Sequence, residues 1–251
     1  MEIVAELRSV FPGLRVVELR LEGLTVKDSA PDLESFKLEV QERVRRRTAS
    51  LEEVKNQPIF RAYRDFFWRV GIDPTKLRPA GEALTRRILG GRDLPRVNTV
   101  VDAYNLVSVE TSIAIAAFDS AKVKGDALVM RRAAGGEPFH GIGMASPDSL
   151  SGVEVVIEDR SSHELVAVYP YRDSDASKIT ESTTGVLFMM CGVPGIGDPA
   201  LEAAARLTKE YVGRFCSRSP YRTKATSWLK DNIRDGNIPK QPPPSVSGAK
   251  G

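Results

Sequence analysis

The first part of the chain alternates between strand-like and helical patterns. Residues 14–26, LRVVELRLEGLTV, alternate apolar with polar positions and predict an early β-strand. Helical spacing follows over Leu33–Arg47. Apolar and aromatic residues then recur at intervals of three and four over Leu51–Val70, which predicts a longer helix with a buried aromatic face. A shorter helix is expected to begin near Pro79 and to end at the glycine pair 90–91.

After Pro95 the pattern changes to short apolar runs, which predict a block of β-strands. The predicted strands are Val97–Val101, Ser108–Ala117, Ala127–Arg132, Val153–Ile157, Leu165–Tyr171 and Thr184–Val193. A final helix is expected after GVPGIGDP, capped by Asp198 and Pro199. Helices thus flank a central block of strands without regular βαβ alternation, so the sequence predicts an α+β fold instead of a doubly wound parallel sheet.

The chain is expected to form one folded unit with a tail. Residues 1–95 are predicted to form a strand and a helical portion packed on the core, and residues 96–216 to form the core itself. Residues 217–251 are predicted to be a basic, largely disordered tail, because the segment IPKQPPPSVSGAKG is rich in Pro, Ser and Gly.

The composition is that of a globular protein with unevenly placed positive charge. Of the 251 residues, 41% are hydrophobic and 27% are charged, which excludes disorder of the whole chain. The net charge is only +3, but basic residues cluster in RVRRR at 43–47 and after Cys216. These clusters are typical either of a solvated helix face or of a surface that contacts nucleic-acid phosphates. The candidate phosphate contacts are Arg43, Arg45, Arg46, Arg47, Arg222 and Lys224.

Several common chemistries lack the residues that they require. The two cysteines, Cys191 and Cys216, have neither metal-site nor disulfide-framework spacing, which favours a reduced, cytoplasmic protein. The only histidines are His140 and His163, so no metal site is expected and a Ser-His-Asp triad is disfavoured. The sequence contains no P-loop motif, and no cofactor is expected. No run approaches the roughly 18 apolar residues of a membrane helix, so no membrane partner is expected.

Three short polar side chains interrupt the apolar stretch VNTVVDAYNLVSVET at 97–111. Asn and Asp are poor strand formers, so their presence requires an explanation. Such side chains can satisfy buried backbone groups at strand ends, which is the favoured interpretation for Asn98 and Asp102. Asn105 is the better candidate for contacting a ligand, since an amide offers both a donor and an acceptor.

The same stretch opens a series of motifs that resembles a known family. NTVVDAYNLVSVETSIAIAAFD, VMRRAAGGEPF, IEDR and KITESTTGVLFMM follow one another over about Val97–Val193. In order and spacing they resemble the editing domain of the phenylalanyl-tRNA synthetase β subunit. The resemblance implies an α+β domain with a β-sandwich-like core of mixed sheets flanked by helices. It also implies a pocket that hydrolyses tyrosine wrongly esterified to tRNA.

The sequence departs from this family's pattern at the pocket. Ala116 stands where the family has a His two residues before the Phe-Asp pair 118–119, and Met189 stands where it has the Glu that reads the tyrosine hydroxyl. The glycine-rich loop of the family is replaced by residues 170–174, PYRDS. Without a partner for the hydroxyl, strong preference for tyrosine is not expected, so the pocket is predicted to take another aminoacyl group. The chain more closely resembles free-standing relatives of the editing domain, and aminoacylation by this chain alone is not expected.

The first functional hypothesis is a trans-acting aminoacyl-tRNA deacylase. An aminoacyl ester is already activated, so its hydrolysis requires positioned water and hydrogen-bond donors more than a strong nucleophile. The candidate catalytic residues are Asn105 for the ester or water, Arg172 and Asp173 for the α-amino group or ribose, and Ser174 as a donor. The candidate substrate-binding residues are Thr180, Thr183, Met189 and Ala116.

The second hypothesis is a binding module that captures an amino acid or a tRNA end without turnover. The missing His and Glu favour binding, whereas Asn105 and the Arg-Asp-Ser cluster at 172–174 favour hydrolysis, which is the preferred hypothesis. Without the family resemblance, RDSDASKITES is more typical of a solvated loop. The expected partners are tRNA or aminoacyl-tRNA and a small amino-acid ligand, with an aminoacyl-tRNA synthetase as a further candidate.

Overall fold

A computed structural model describes residues 1–48, 50–123 and 127–224, without the side chains of 218–224. Its α-helices are α1 (Ala5–Val10), α2 (Pro31–Arg47), α3 (Leu51–Asn56), α4 (Pro58–Arg69), α5 (Ala80–Leu89), α6 (Thr99–Thr111) and α7 (Asp198–Cys216). Its strands are β1 (Glu2–Ile3), β2 (Arg15–Leu24), β3 (Ile115–Asp119), β4 (Leu128–Arg132), β5 (Pro138–Phe139), β6 (Asp148–Ser149), β7 (Val155–Asp159), β8 (Glu164–Val168), β9 (Arg172–Asp173), β10 (Gly185–Gly192) and β11 (Ser217–Lys224).

Two main sheets share one hydrophobic core. One sheet has the order β1-β4-β7-β8-β9 and the other the order β11-β2-β10-β3, while β5 and β6 form a separate hairpin. The β1–β4 pair is parallel and the other neighbours within the two sheets are antiparallel, so the first sheet is mixed. Together with the helices this arrangement confirms the predicted α+β class. Strand β2, from the first 95 residues, lies between β11 and β10.

Most of the predicted elements outside residues 97–117 are confirmed with shifted ends. The alternating stretch 14–26 forms β2, and four of the later apolar runs form β4, β7, β8 and β10. The prediction of a single helix over Leu51–Val70 was wrong. Helix α3 ends at Asn56, the backbone of Gln57 is extended, and α4 begins at Pro58. The cap predicted at Asp198 is also corrected: Gly197 occupies the N-cap position, and the Asp198 carboxylate accepts a bond from Arg15 Nη1 at 2.6 Å.

The strands predicted at Val97–Val101 and over the first part of Ser108–Ala117 were wrong, because Thr99–Thr111 form helix α6. Asn98 is its N-cap, and the Asn98 side-chain oxygen accepts a hydrogen bond from the Val101 amide at 3.0 Å. Only the end of the second predicted strand is extended, in β3. Asn98 therefore satisfies a backbone group as predicted, but at a helix start.

Asp102 also accepts a hydrogen bond from a backbone amide, and in addition it forms a buried ion pair. Its carboxylate accepts hydrogen bonds from the Val97 amide at 3.0 Å and from Lys37 Nζ at 2.8 Å, and both charged side chains are buried. Lys37 Nζ also donates to Pro95 O at 3.2 Å and contacts Glu34 at 3.3 Å. Burial raises the pKa of Asp102, and the Lys37 ammonium opposes that rise. The pair thus fixes α2 against the start of α6.

Removing one member of the Lys37–Asp102 pair should destabilise the protein more than removing both members together. Lys37→Met leaves the Asp102 carboxylate buried without its cation, so the free energy of unfolding should fall by about 3–5 kcal/mol in denaturant titrations. Lys37→Met combined with Asp102→Asn should cost less than the single change. Lys55→Met is the control, since Lys55 pairs with Glu52 on the exposed surface, and should change stability by less than about 1 kcal/mol. A single Lys37 variant as stable as this control would contradict the assignment.

Candidate functional site

Strand β9 brings the edges of the two main sheets together. It is the last strand of the five-stranded sheet, and β3 is the last strand of the four-stranded sheet. Asp173 Oδ2 accepts a hydrogen bond from the Ala117 amide at 3.1 Å, so a side chain of one edge satisfies a backbone donor of the other. The predicted catalytic segment 172–174 lies at this junction.

The carboxyl group of Asp173 has the most unusual chemistry at the junction. Burial raises its pKa to about 7, and the bond from the Ala117 amide opposes the rise only in part. The residue is nevertheless partly exposed. A carboxyl group with a pKa near 7 is ionised in a large fraction of molecules at neutral pH and can act as a general base at that pH.

Arg172 binds the loop that contains Ile142 to strand β9. Its Nη1 donates to Ile142 O at 3.0 Å and its Nη2 to Tyr171 Oη at 2.7 Å, while the Ile142 amide donates to Asp173 O at 2.9 Å. Gly141 makes this approach possible: a Cβ atom there would lie 2.3 Å from Arg172 Cδ. Arg172 is among the site residues predicted from the sequence, whereas Gly141 and Ile142 are not.

Asn105 lies on α6, half-buried, instead of on the predicted strand. Its neighbour Tyr104 packs edge-on against Phe188, with ring centroids 6.1 Å apart. The pKa of Tyr104 is raised by burial and, to a lesser extent, by the negative charge of Asp173. This turn of α6 therefore lies within electrostatic reach of the Asp173 carboxyl, although no bond joins Asn105 to it. Tyr104 was missed by the sequence analysis, whose strand interpretation gave it no special position.

The hydroxyl groups predicted to serve as donors are engaged in local bonds. Ser174 is buried and its Oγ accepts a bond from the Ala176 amide at 3.3 Å. Thr183 Oγ1 donates to the buried carboxylate of Asp119 at 2.8 Å and accepts from the Thr180 amide at 3.0 Å. Thr180 Oγ1 is bonded to Ser182 Oγ at 2.8 Å. These contacts shape the loop before β10, and Thr180 is the more accessible of the two threonines.

Ala116 and Met189, both predicted to contact the substrate, lie next to each other in the four-stranded sheet. They are register partners in the β3–β10 pair, so their side chains share one face of the sheet. Met189 is fully buried and Ala116 is 8% exposed. Together they can determine the shape of the interior behind the β3 edge, and neither offers a polar group.

The basic residues at the end of α2 differ in how freely they reach solvent. Arg43 is bonded to Glu110 Oε1 at 2.8 Å, and Arg47 Nη1 donates to Glu110 O at 2.9 Å at the end of α6. Arg45 pairs with Glu42 at 2.5 Å on the surface, and Arg46 is exposed. The side chains of the other two candidates, Arg222 and Lys224 in β11, lie outside the described residues, as does most of the predicted tail.

The cysteines and histidines are the other residues with reactive side chains, and each is either buried or hydrogen-bonded. Burial raises the pKa of both thiols, that of Cys216 to about 11, so these thiols are protonated at neutral pH. His140 and His163 are bonded to Met144 O and Glu158 respectively. Among the described residues, no cluster of three or more His, Cys, Asp and Glu side chains could hold a metal ion. In the same part of the chain, none of the helices has the length and apolar character needed to cross a membrane.

Part of the motif series that resembles the editing domain forms scaffold. In the VMRRAAGGEPF motif, Arg131 makes two bonds to the Glu137 carboxylate, at 2.6 and 3.0 Å. Its Nε also donates to Glu158 in the IEDR motif at 2.5 Å. A bidentate arginine pair of this kind fixes the turn between β4 and β5.

Comparison with known proteins identifies the family. No curated protein matches the chain significantly. Among solved structures, an N-terminal fragment of the phenylalanyl-tRNA synthetase β subunit from Pyrococcus horikoshii aligns with 12% identity and a TM-score of 0.46. That alignment covers 90% of this chain and 54% of the fragment, so the chain spans about half of the fragment's length.

A family model, the B3/4 domain, matches residues 62–198. The match begins in α4 and ends at the first residue of α7, so it includes the β3–β9 junction. It confirms the resemblance to a domain of the phenylalanyl-tRNA synthetase β subunit. Because the model covers more than half of the sequence, this chain belongs to the B3/4 domain family.

Proposed function

We propose that the protein hydrolyses the ester bond of mischarged aminoacyl-tRNA in trans, at the β3–β9 junction. The observation that carries the proposal is the Asp173 carboxyl at the junction of the two sheets, which accepts a bond from the Ala117 amide and whose pKa of about 7 suits a general base at neutral pH. Family membership supports an aminoacyl ester as the substrate class, and it does so by analogy.

The proposed reaction needs one base and fixed donors. The Asp173 carboxylate removes a proton from a water molecule as the water oxygen attacks the ester carbonyl carbon. The tetrahedral intermediate then expels the ribose oxygen, and the Asp173 carboxyl gives the proton that it removed from water to this oxygen as the carbon–oxygen bond breaks. The products are a free amino acid and a tRNA with a free 3′ end. No covalent enzyme intermediate is required, because the aminoacyl ester is already activated.

The other residues of the junction are proposed to position the substrate. Arg172 donates from Nη1 to Ile142 O and from Nη2 to Tyr171 Oη, which holds its guanidinium in place. We propose that this guanidinium contacts the ribose or a carbonyl oxygen of the substrate. The Asn105 amide is proposed to orient the ester or the attacking water. Met189 and Ala116 limit the side chain that the site accepts, and both are apolar, which favours an aminoacyl group without a buried hydroxyl.

The alternative is stoichiometric binding of an amino acid or of a tRNA end. The Thr183 hydroxyl supports it, because this group already donates to Asp119 and is therefore not free to donate to a developing oxyanion. Turnover distinguishes the two functions: a deacylase releases many amino acids per protein molecule, and a binding module releases none.

The first prediction concerns deacylation of a panel of correctly and incorrectly charged tRNAs. Hydrolysis of the preferred one, corrected for spontaneous hydrolysis, should rise with pH and level off above an apparent pKa near 7, because Asp173 is the active base only when ionised. Asp173→Asn keeps the shape and an acceptor for the Ala117 amide, and should lower the rate by about 100-fold to 10,000-fold.

The matched control is Asp175→Asn, two residues further along the same segment. The Asp175 carboxylate pairs with Lys178 at 2.9 Å on the surface, so its removal should leave the rate nearly unchanged. An Asp173→Asn protein that folds and retains the full rate would exclude Asp173 as the base. Binding of charged tRNA without any release of amino acid would favour the alternative.

The second prediction concerns contact with tRNA phosphates through the end of α2. Binding of tRNA should weaken as salt concentration increases, and Arg46→Ala should reduce the slope of log affinity against log salt by about one. Arg92→Ala is the control, since Arg92 is also exposed but lies outside the cluster. Affinity for tRNA that does not change with salt would remove the basic cluster from the proposal.

A further inference from the structure

The hydroxyl of Tyr104 differs from the other tyrosine hydroxyls in having no hydrogen-bond partner within the described residues. The hydroxyls of Tyr63, Tyr169, Tyr171 and Tyr211 are each bonded to a carbonyl oxygen, a guanidinium or a carboxylate. Buried tyrosine hydroxyls usually find such a partner. The Tyr104 hydroxyl therefore keeps both its proton and its lone pairs available.

Contacts between side chains and strands connect Tyr104 to the β3–β9 junction. Its ring packs edge-on against the fully buried Phe188 of β10, with centroids 6.1 Å apart. Phe188 is the register partner of Ala117 in β3, and the Ala117 amide donates to Asp173 Oδ2 at 3.1 Å. The ring is thus fixed next to the strand that holds the proposed base, on the helical turn that also carries Asn105.

The environment of the Tyr104 hydroxyl keeps it protonated. Burial is the main cause that raises the pKa of this phenol, and the negative charge of Asp173 raises it further. The phenol is therefore neutral at a pH at which the Asp173 carboxyl is ionised. A neutral O–H group without a partner, in a site from which water is largely excluded, can donate a strong hydrogen bond to an anion that forms there.

The hydrolysis described above creates such an anion, because the attack of water converts the ester carbonyl oxygen into an oxyanion. Thr183 cannot serve it, since its proton is directed to Asp119. We propose that the Tyr104 hydroxyl donates a hydrogen bond to this oxygen as negative charge develops on it. The phenol keeps its proton throughout, and the charge returns to the carbon–oxygen double bond when the ribose oxygen leaves. This catalytic role rests on the proposed deacylase function.

Tyr104→Phe tests the role by removing the hydroxyl and keeping the ring on Phe188. The kcat of deacylation should fall by about 100-fold to 1,000-fold, the value of one oxyanion donor. KM should change little, because the bond forms mainly in the transition state, and the apparent pKa near 7 should remain.

Tyr211→Phe is the matched control. It removes a hydroxyl that is bonded to Glu110 on α7's contact with α6, so it should lower the melting temperature without lowering kcat. A folded Tyr104→Phe protein with full kcat would overturn the role of Tyr104 and leave the deacylase function standing.

A binding measurement separates this role from turnover. The probe is an α-aminophosphonate monoester of the adenosine 3′-hydroxyl, whose anionic tetrahedral phosphorus resembles the intermediate. Calorimetric titration is done at pH 6, where most Asp173 carboxyls carry a proton and do not repel the probe. Tyr104→Phe should weaken its binding at least about tenfold, the value of a hydrogen bond to a charged group. The uncharged 3′-amide analogue should bind both proteins about equally.

The two proposals fail in different ways. If phosphonate binding depends on the Tyr104 hydroxyl but no charged tRNA is hydrolysed, the deacylase function is refuted and Tyr104 remains an anion donor. Equal affinity of both proteins for the phosphonate would overturn the assignment of Tyr104, whether or not amino acids are released. Absence of both phosphonate binding and turnover would refute both.

Discussion

One hydrogen bond, from the Ala117 amide to the Asp173 carboxylate, joins the edges of the two sheets, and the candidate site depends on it. Without this bond, the edge of the buried strand β3 would leave the Ala117 amide as an unpaired backbone donor inside the protein. Using a carboxylate for this purpose places an ionisable group where burial raises its pKa to about 7. The same contact therefore closes the junction and creates its reactive group.

Because the pKa of Asp173 is raised in the folded protein, the free energy of unfolding depends on pH. An ordinary aspartate has a pKa near 4, so between about pH 4 and pH 7 the folded protein binds the Asp173 proton more tightly than the unfolded chain. The resulting stabilisation is complete below that range and is lost as the pH rises through 7. Functional groups often carry such a penalty, because the environment that makes them reactive disfavours their charged form. The neighbouring fixed contacts, such as Arg172 with Ile142, hold the junction in place despite it.

The strand content was largely predictable from the sequence, whereas the helix that opens the family motif series was not. In β2, β7 and β10 the apolar runs have strand length and patterning, so local information was sufficient. Residues 97–111 contain several β-branched valines, which favoured a strand, but Asn98 is an N-cap and buried residues recur at helical spacing over Val100, Ala103 and Leu106–Val107. The Asn98 cap was the signal available in the sequence, and it was interpreted as a strand-end contact.

The family resemblance was sufficient to predict the residues of the candidate site. The contacts that these residues make could not be predicted from the sequence. The segment 172–174 was identified, yet the roles within it differ, since Ser174 is buried in a local turn and Asp173 reaches the other sheet. No local pattern reports that Asp173 and Ala117, 56 residues apart, are bonded.

The central claim, that the β3–β9 junction holds an aspartate poised near neutral pH, is tested most directly by NMR. The carboxyl carbons of ¹³C-labelled aspartates are followed through a pH titration, and the Asp173 signal is assigned by its absence in Asp173→Asn. The account predicts a titration midpoint near 7 for this carbon. A midpoint near 4, the value of an ordinary aspartate, would contradict it.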